Sequence, residues 1–235
     1  WNVTARTGEP FIKIFEEERE QTLMLCVDIS ASGVFGSNHQ RKMDVAVEIS
    51  AVLAFSAIKN GDKVGLVLFS DIIEKVVPPK KGRTHVLRLI RELYTTVPKG
   101  RGTKIADALG YVNRLLDRRA IVVLASDFQD DNFEKQLRIT NQKHDLVSII
   151  INDPFEDELP NMGLVPFQDA ESGKEILIDT SNKKIRKEYK KRKKIHKLQL
   201  DESLLKMKVD AVNLTTNKSY VRPLMNFFQR RMSRY

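Results

Sequence analysis

Four short apolar runs punctuate the first two thirds of the chain: Leu23 to Val27, Lys63 to Phe69, Ala120 to Ala125 and Leu146 to Ile151. Each has strand length and little alternation, the pattern of a strand buried on both faces of a parallel sheet. Between them lie stretches with apolar residues at helical spacing: Met43 to Lys59, Thr84 to Tyr94, Lys104 to Leu116 and Asp131 to Gln142. Strand and helix alternate as in βαβ units, which predicts an α/β fold, a doubly wound, mostly parallel sheet with helices on both faces.

The flanks are less regular. Trp1 to Glu20 has no helical period, carries the turn signal Gly8-Glu9-Pro10, and includes Phe11 to Phe15 as a short candidate strand. Residues 1–20 therefore read as an N-terminal extension and residues 21–235 as one domain. After Ile151, Asn152-Asp153-Pro154 and Leu159-Pro160 mark loop, and Leu164 to Phe167 with Glu175 to Ile178 predicts a hairpin across Ala170 to Gly173. A long basic helix is expected over Asn182 to Lys208, with Ile185, Tyr189, His196 and Leu200 as its inner edge. Val209 to Leu214 reads as a last strand, and Tyr220 to Arg231 as a closing helix packed through Leu224, Phe227 and Phe228.

Composition narrows the class. With 235 residues, 41% hydrophobic and 30% charged, the chain excludes collagen-like, low-complexity and disordered types. Its one cysteine, Cys26, excludes a disulfide framework and a multi-cysteine zinc site, and falls inside the first strand as an inert core residue. His39, His85, His144 and His196 lack ligand spacing. No apolar run approaches the roughly 18 residues that span a bilayer, and these residues are expected to carry no signal-peptide pattern. The sequence opens at Trp1, which reads as a trimmed start, so an upstream membrane anchor stays open.

The net charge of +9 suggests nucleic acid, but its distribution does not. Lys183 to Lys197 holds ten Lys or Arg and one Glu, so this segment alone accounts for +9 and the other 220 residues are neutral. Almost no aromatic or amide readers interleave the run, which reads as a solvated helix face, its stems covering apolar surface. An acidic partner patch or an anionic lipid surface fits that face better than nucleic acid.

In an open parallel sheet, ligands bind beyond the carboxyl ends of the strands. The first strand ends there in Val27-Asp28-Ile29-Ser30-Ala31-Ser32, where a carboxylate and two hydroxyls stand two residues apart. Gly100-Arg101-Gly102-Thr103 is a glycine-rich loop opening a helix, and Ser126-Asp127 directly follows a third buried strand. Each piece alone fits a turn or helix cap. Together they place two carboxylates and three hydroxyls on one sheet edge, hard oxygen donors suited to a magnesium ion that keeps several waters.

Asp28-x-Ser30-x-Ser32, Thr103 and Asp127 resemble the metal-ion-dependent adhesion site of von Willebrand factor A domains, over roughly Gln21 to the C-terminus. Asn2-Val3-Thr4-Ala5-Arg6-Thr7-Gly8-Glu9-Pro10-Phe11, Phe15 to Arg19, Leu53 to Ala57 and Asp62 to Leu66 are similar to the bacterial domain-of-unknown-function family 58. Members of that family often accompany MoxR-type AAA+ ATPases. The resemblance implies a non-enzymatic, cytoplasmic binding module that serves as adaptor or assembly factor for such an ATPase. It also implies a divalent ion, Mg2+ with Mn2+ or Ca2+ as substitutes. Ser30, Ser32 and Thr103 would ligate it directly, Asp28 and Asp127 largely through water, and a partner protein would complete it with a carboxylate. The insert Gly33 to Gln40 would sit beside the ion and shape access.

Two other functions stay open. Asp28 at a strand end resembles the nucleophile of metal-dependent aspartyl phosphotransferases, but position 30 is serine where that chemistry wants an acid. The Lys183 to Lys197 helix could instead bind nucleic acid or an anionic surface without the ion site.

Overall fold

The structure, a computed structural model, describes residues 20–34, 40–168 and 175–233. The expected strand at Phe11 to Phe15, the rest of the extension before Glu20, most of the Gly33 to Gln40 insert and the turn Ala170 to Gly173 lie outside the described residues. In chain order the strands are β1 (Thr22–Asp28), β2 (Lys63–Phe69), β3 (Ile73–Lys80), β4 (Ile121–Ser126), β5 (Asp145–Asn152), β6 (Leu164–Gln168), β7 (Glu175–Asp179) and β8 (Asp210–Thr215). The helices are α1 (Lys42–Lys59), α2 (Arg83–Thr95), α3 (Ile105–Leu115), α4 (Glu134–Lys143), the single turn α5 (Pro154–Asp157), α6 (Lys183–Lys206) and α7 (Val221–Met232).

Six strands form one sheet in the order β3-β2-β1-β4-β5-β8, parallel except at β3. The β6–β7 hairpin stands apart as a two-stranded antiparallel pair. The doubly wound architecture expected from the apolar runs is therefore present. β1 shows why those runs lack alternation. Leu23, Leu25 and Val27 pack into one core layer with residues of α1, α2 and α7, while Met24 and Cys26 pack into the other with residues of α3, α4 and the end of α6. Both faces of the strand are dry, so every position is apolar. Burial pushes the Cys26 thiol far up, consistent with an inert core residue.

One strand was missed and one expectation is corrected. The antiparallel edge strand β3 was not legible as a strand, because it contains Pro78 and Pro79. The sheet accommodates them by a register shift opposite Gly65, where a Cβ would lie 2.9 Å from the Pro79 ring and 2.8 Å from Met24 Cε. The inner edge of α6 is also different: Leu204 is buried and Tyr189 and Leu200 are half-buried, whereas Ile185 and His196 are exposed. No helix among the described residues is long and apolar enough to cross a membrane.

From β1 the chain turns toward β2, and β4 returns on β1's other side. The strand order reverses between β1 and β4, and a crevice opens beyond their carboxyl ends. Asp28 closes β1 and Ser126 closes β4, so both stand at that crevice.

Candidate functional site

The loop after β1 is folded by its own polar side chains. Asp28 Oδ1 accepts the Ser30 backbone N–H at 2.9 Å, and the Ser30 and Ser32 hydroxyls are hydrogen-bonded to each other at 3.0 Å. Asp28 Oδ2 accepts the Ser126 hydroxyl at 2.7 Å, while Ser126 Oγ takes the Phe128 N–H at 3.0 Å. Asp28, Ser30 and Ser32 are all buried. Burial pushes the Asp28 carboxyl up to about 6, and the nearby Asp127 carboxylate adds to that; the hydroxyl and amide donors oppose it.

A second loop is tied against the first. Ala31 N–H donates to the Arg101 carbonyl at 3.1 Å, and Lys104 N–H donates to the Ser70 carbonyl at 3.0 Å. Glu74 gathers this loop from the other side, accepting the Lys99 and Gly100 N–H groups at 2.8 Å each and the Ser70 hydroxyl at 2.7 Å. Burial works against its ionisation, but these donors hold the Glu74 carboxyl below the usual range. Thr103, at the end of the loop, is 6% exposed, and its hydroxyl has no hydrogen-bond partner among the described residues. The sequence allowed Thr103 to be a cap for α3, but the α3 N-terminus is served by Asp130, which accepts the Ile105 N–H at 2.8 Å.

Asp28, Ser32 and Asp127 line one small cleft of about 20 Å³, room for about one water. Ser30 joins it through Ser32; Thr103 does not line the cleft but lies on the loop bonded to Ala31. All five expected residues thus sit at one sheet edge on three loops. Among the described residues, no three of His, Cys, Asp and Glu form a metal cage, so the donors present are chiefly hydroxyls with two carboxylates. Such a set fits a hard, hydrated cation. An apolar cavity of about 610 Å³ between α1 and α7 opens elsewhere, beside Leu23 and Ile121 at the starts of β1 and β4, and offers no comparable convergence of donors.

The sequence reading missed two members of the cluster. Lys42, in the first turn of α1, is 3% exposed and lays its ammonium 2.5 Å from Asp127 Oδ2 and 2.7 Å from Glu156 Oε1. Burial alone would depress this lysine, but the two carboxylates outweigh it and hold its pKa above the ordinary value. Glu156 is held in turn. Asp153 caps α5 by accepting the Phe155 N–H at 2.9 Å and receives the Thr216 hydroxyl, and the Tyr189 hydroxyl of α6 donates to the Glu156 carbonyl at 3.0 Å. Burial raises the Glu156 carboxyl, opposed by the Lys42 ammonium. The signal available in sequence was weak, since a lysine after Arg41 and an acid within Phe155-Glu156-Asp157-Glu158 both look solvated.

Through Tyr189 and the Lys190–Glu158 ion pair, the basic helix lies beside the site without entering it. Most of its remaining lysines are exposed, Arg186 donates to the Thr180 and Ser181 carbonyls, and Leu204 is its one buried residue.

Comparison with known proteins agrees with the fold and gives the family. Conserved hypothetical protein BatB of Bacteroides thetaiotaomicron superposes with a TM-score of 0.57 at 14% identity, over 92% of this chain and 100% of that one. An aerotolerance-related membrane protein of Bacteroides fragilis gives 0.57 at 15% identity, over 87% of this chain and 96% of its own. Two relatives, uncharacterized proteins of Mycobacterium bovis and of Mycobacterium tuberculosis (Rv1480), are each 30% identical over 232 residues, 97% of this chain and 72% of theirs. Residues 1–199 match the family described as protein of unknown function DUF58, and the chain belongs to that family.

Proposed function

We propose that this chain is a non-enzymatic protein-binding module that captures a partner's acidic side chain through a divalent cation. Ser30, Ser32 and Thr103 would supply hydroxyl ligands, and Asp28 and Asp127 would act largely through water. Mg2+ is the first candidate, with Mn2+ or Ca2+ as substitutes. The observation that carries this reading is the buried Thr103 hydroxyl, without a partner among the described residues, on a loop bonded to the one that holds the Ser30–Ser32 pair. A buried hydroxyl normally finds a partner, and a cation ligated by its oxygen would supply one. Largely neutral ligands leave such a cation electrophilic enough to recruit an outside carboxylate. On the family resemblance, a MoxR-type AAA+ ATPase is the first partner to test, with this chain as its adaptor or assembly factor.

The experiment is titration calorimetry with Mg2+ or Mn2+ on wild type and on Ser30→Ala/Asp127→Ala, followed by ATPase binding with and without chelator. Saturable binding lost in the double variant supports the ion site; equal binding by both overturns it. ATPase binding indifferent to chelator and to Ser32→Ala removes metal-dependent docking to that partner.

A further inference from the structure

We propose that Lys42 is a resident counter-cation that holds the candidate ion site at two negative charges, the complement of one divalent cation. The inference rests on the reading of Asp28, Ser30, Ser32, Thr103 and Asp127 as an ion site, and adds to it a residue outside that set.

Asp28 and Asp127 line the cleft, and Glu156 stands beside it, joined to Asp127 through the Lys42 ammonium. Left alone they would present three negative charges in and beside a poorly hydrated crevice, where like charges repel strongly. Lys42 removes one. Its ammonium bridges Asp127 Oδ2 and Glu156 Oε1, and its side chain is 3% exposed, with Asp127 at 5% and Glu156 at 17%. A lysine so enclosed does not serve solubility, and losing one partner would leave a buried charge uncompensated. Lys193 of α6 also acts on Glu156, but only at a distance, from a half-exposed position where solvent ions screen it.

The position of the ammonium matters as much as its charge. It takes Asp127 Oδ2, so Asp127 Oδ1, which accepts the Gln129 N–H at 3.3 Å, is the oxygen left for a cation or its water. Asp28 is differently held: both its oxygens accept hydrogen bonds from uncharged donors, and no ammonium or guanidinium among the described residues is paired with it. Lys42 therefore makes Asp127 and Glu156 together count as one negative charge, and Asp28 supplies the second. Removing the ammonium would turn the site into a three-charge trap that holds cations more tightly and favours higher charge.

The test is a charge series read by Mn2+ calorimetry and by thermal shift, at pH 8 and low salt. Lys42→Met raises the site to three negative charges, Glu156→Gln lowers it to one, and the double variant restores two. At short range in a protein, one unit of charge changes the affinity for a divalent ion by about tenfold or more. Lys42→Met is therefore expected to bind Mn2+ at least about tenfold tighter than wild type, Glu156→Gln about tenfold weaker, and the double variant within a few-fold of wild type. Terbium luminescence adds a second readout, with the preference for Tb3+ over Mn2+ rising in Lys42→Met. Where metal-free Lys42→Met fails to fold, the fall in Glu156→Gln and the recovery in the double variant decide the matter. Wild-type binding with a flat series, or a double variant no tighter than Glu156→Gln, overturns the role of Lys42 while leaving the ion site standing. Absence of saturable Mn2+ binding throughout the series overturns the ion site, and this inference with it.

Discussion

The Ser126 hydroxyl donates a 2.7 Å hydrogen bond to Asp28 Oδ2, so the carboxyl ends of β1 and β4 share one buried carboxylate. Its protonation is therefore a property of the whole sheet edge. The folded chain holds the Asp28 proton up to about pH 6, whereas an unfolded chain releases it near the ordinary value of 3.8. Between those limits the native state binds more protons, so stability from Asp28 is present at low pH and is lost as pH rises. The difference is on the order of 3 kcal/mol. Urea unfolding of metal-free protein from pH 4 to 7 should show wild type losing stability relative to Asp28→Asn; parallel profiles would sink this account of Asp28.

Divalent metal should reverse that trend. A cation favours ionised Asp28 and Asp127, so the metal-induced rise in melting temperature should grow as pH passes 6. Asp28→Asn should remove most of that increment while the metal-free variant still folds. A variant that fails to fold without metal would make Asp28 structural.

Gly100 is fixed by contact rather than by backbone angle. A Cβ there would lie 1.8 Å from Asp71 Oδ1 and 2.4 Å from Ser70 Oγ, beside the Glu74 carboxylate that accepts its N–H. Gly100→Ala should destabilise the fold by about 1–3 kcal/mol and weaken Mn2+ binding by shifting the loop that carries Thr103. Unchanged denaturant midpoint and unchanged binding would show that the loop relaxes freely.

The basic helix should act on rate. Lys190, Lys191 and Lys194 are exposed and Lys193 is half-exposed, on a helix whose charge is long-range and screened by salt. Replacing all four by glutamine should slow association with an acidic partner at low salt and converge with wild type at high salt. Chelator should mainly raise the dissociation rate. Stopped-flow measurements at two ionic strengths separate the two effects.

The main sheet was legible because its buried strands carry no polar positions, and helices returning over it show three-to-four spacing. β3 was hidden, since edge strands tolerate the prolines and polar residues that central ones exclude. The five oxygen donors were legible because carboxylate and hydroxyl groups stand at strand ends, two residues apart at Asp28, Ser30 and Ser32. Lys42 and Glu156 were not, because their meeting depends on a 114-residue separation closed by tertiary structure. Burial of a lysine leaves no trace in local sequence when its neighbour is an exposed arginine. The same holds for the inner edge of α6, where helical spacing alone could not tell which stripe the β8 side would cover.

β3 has a consequence for assembly. Pro78 and Pro79 have no N–H to offer whatever chain approaches, and Lys75 and Lys80 flank them with charge. A neighbouring molecule that pairs along this strand would therefore meet a gap in the row of donors at the prolines, so the edge is blunted against extension into a fibre. Strand-to-strand association is thereby disfavoured at this edge of the six-stranded sheet, of which β8 forms the other.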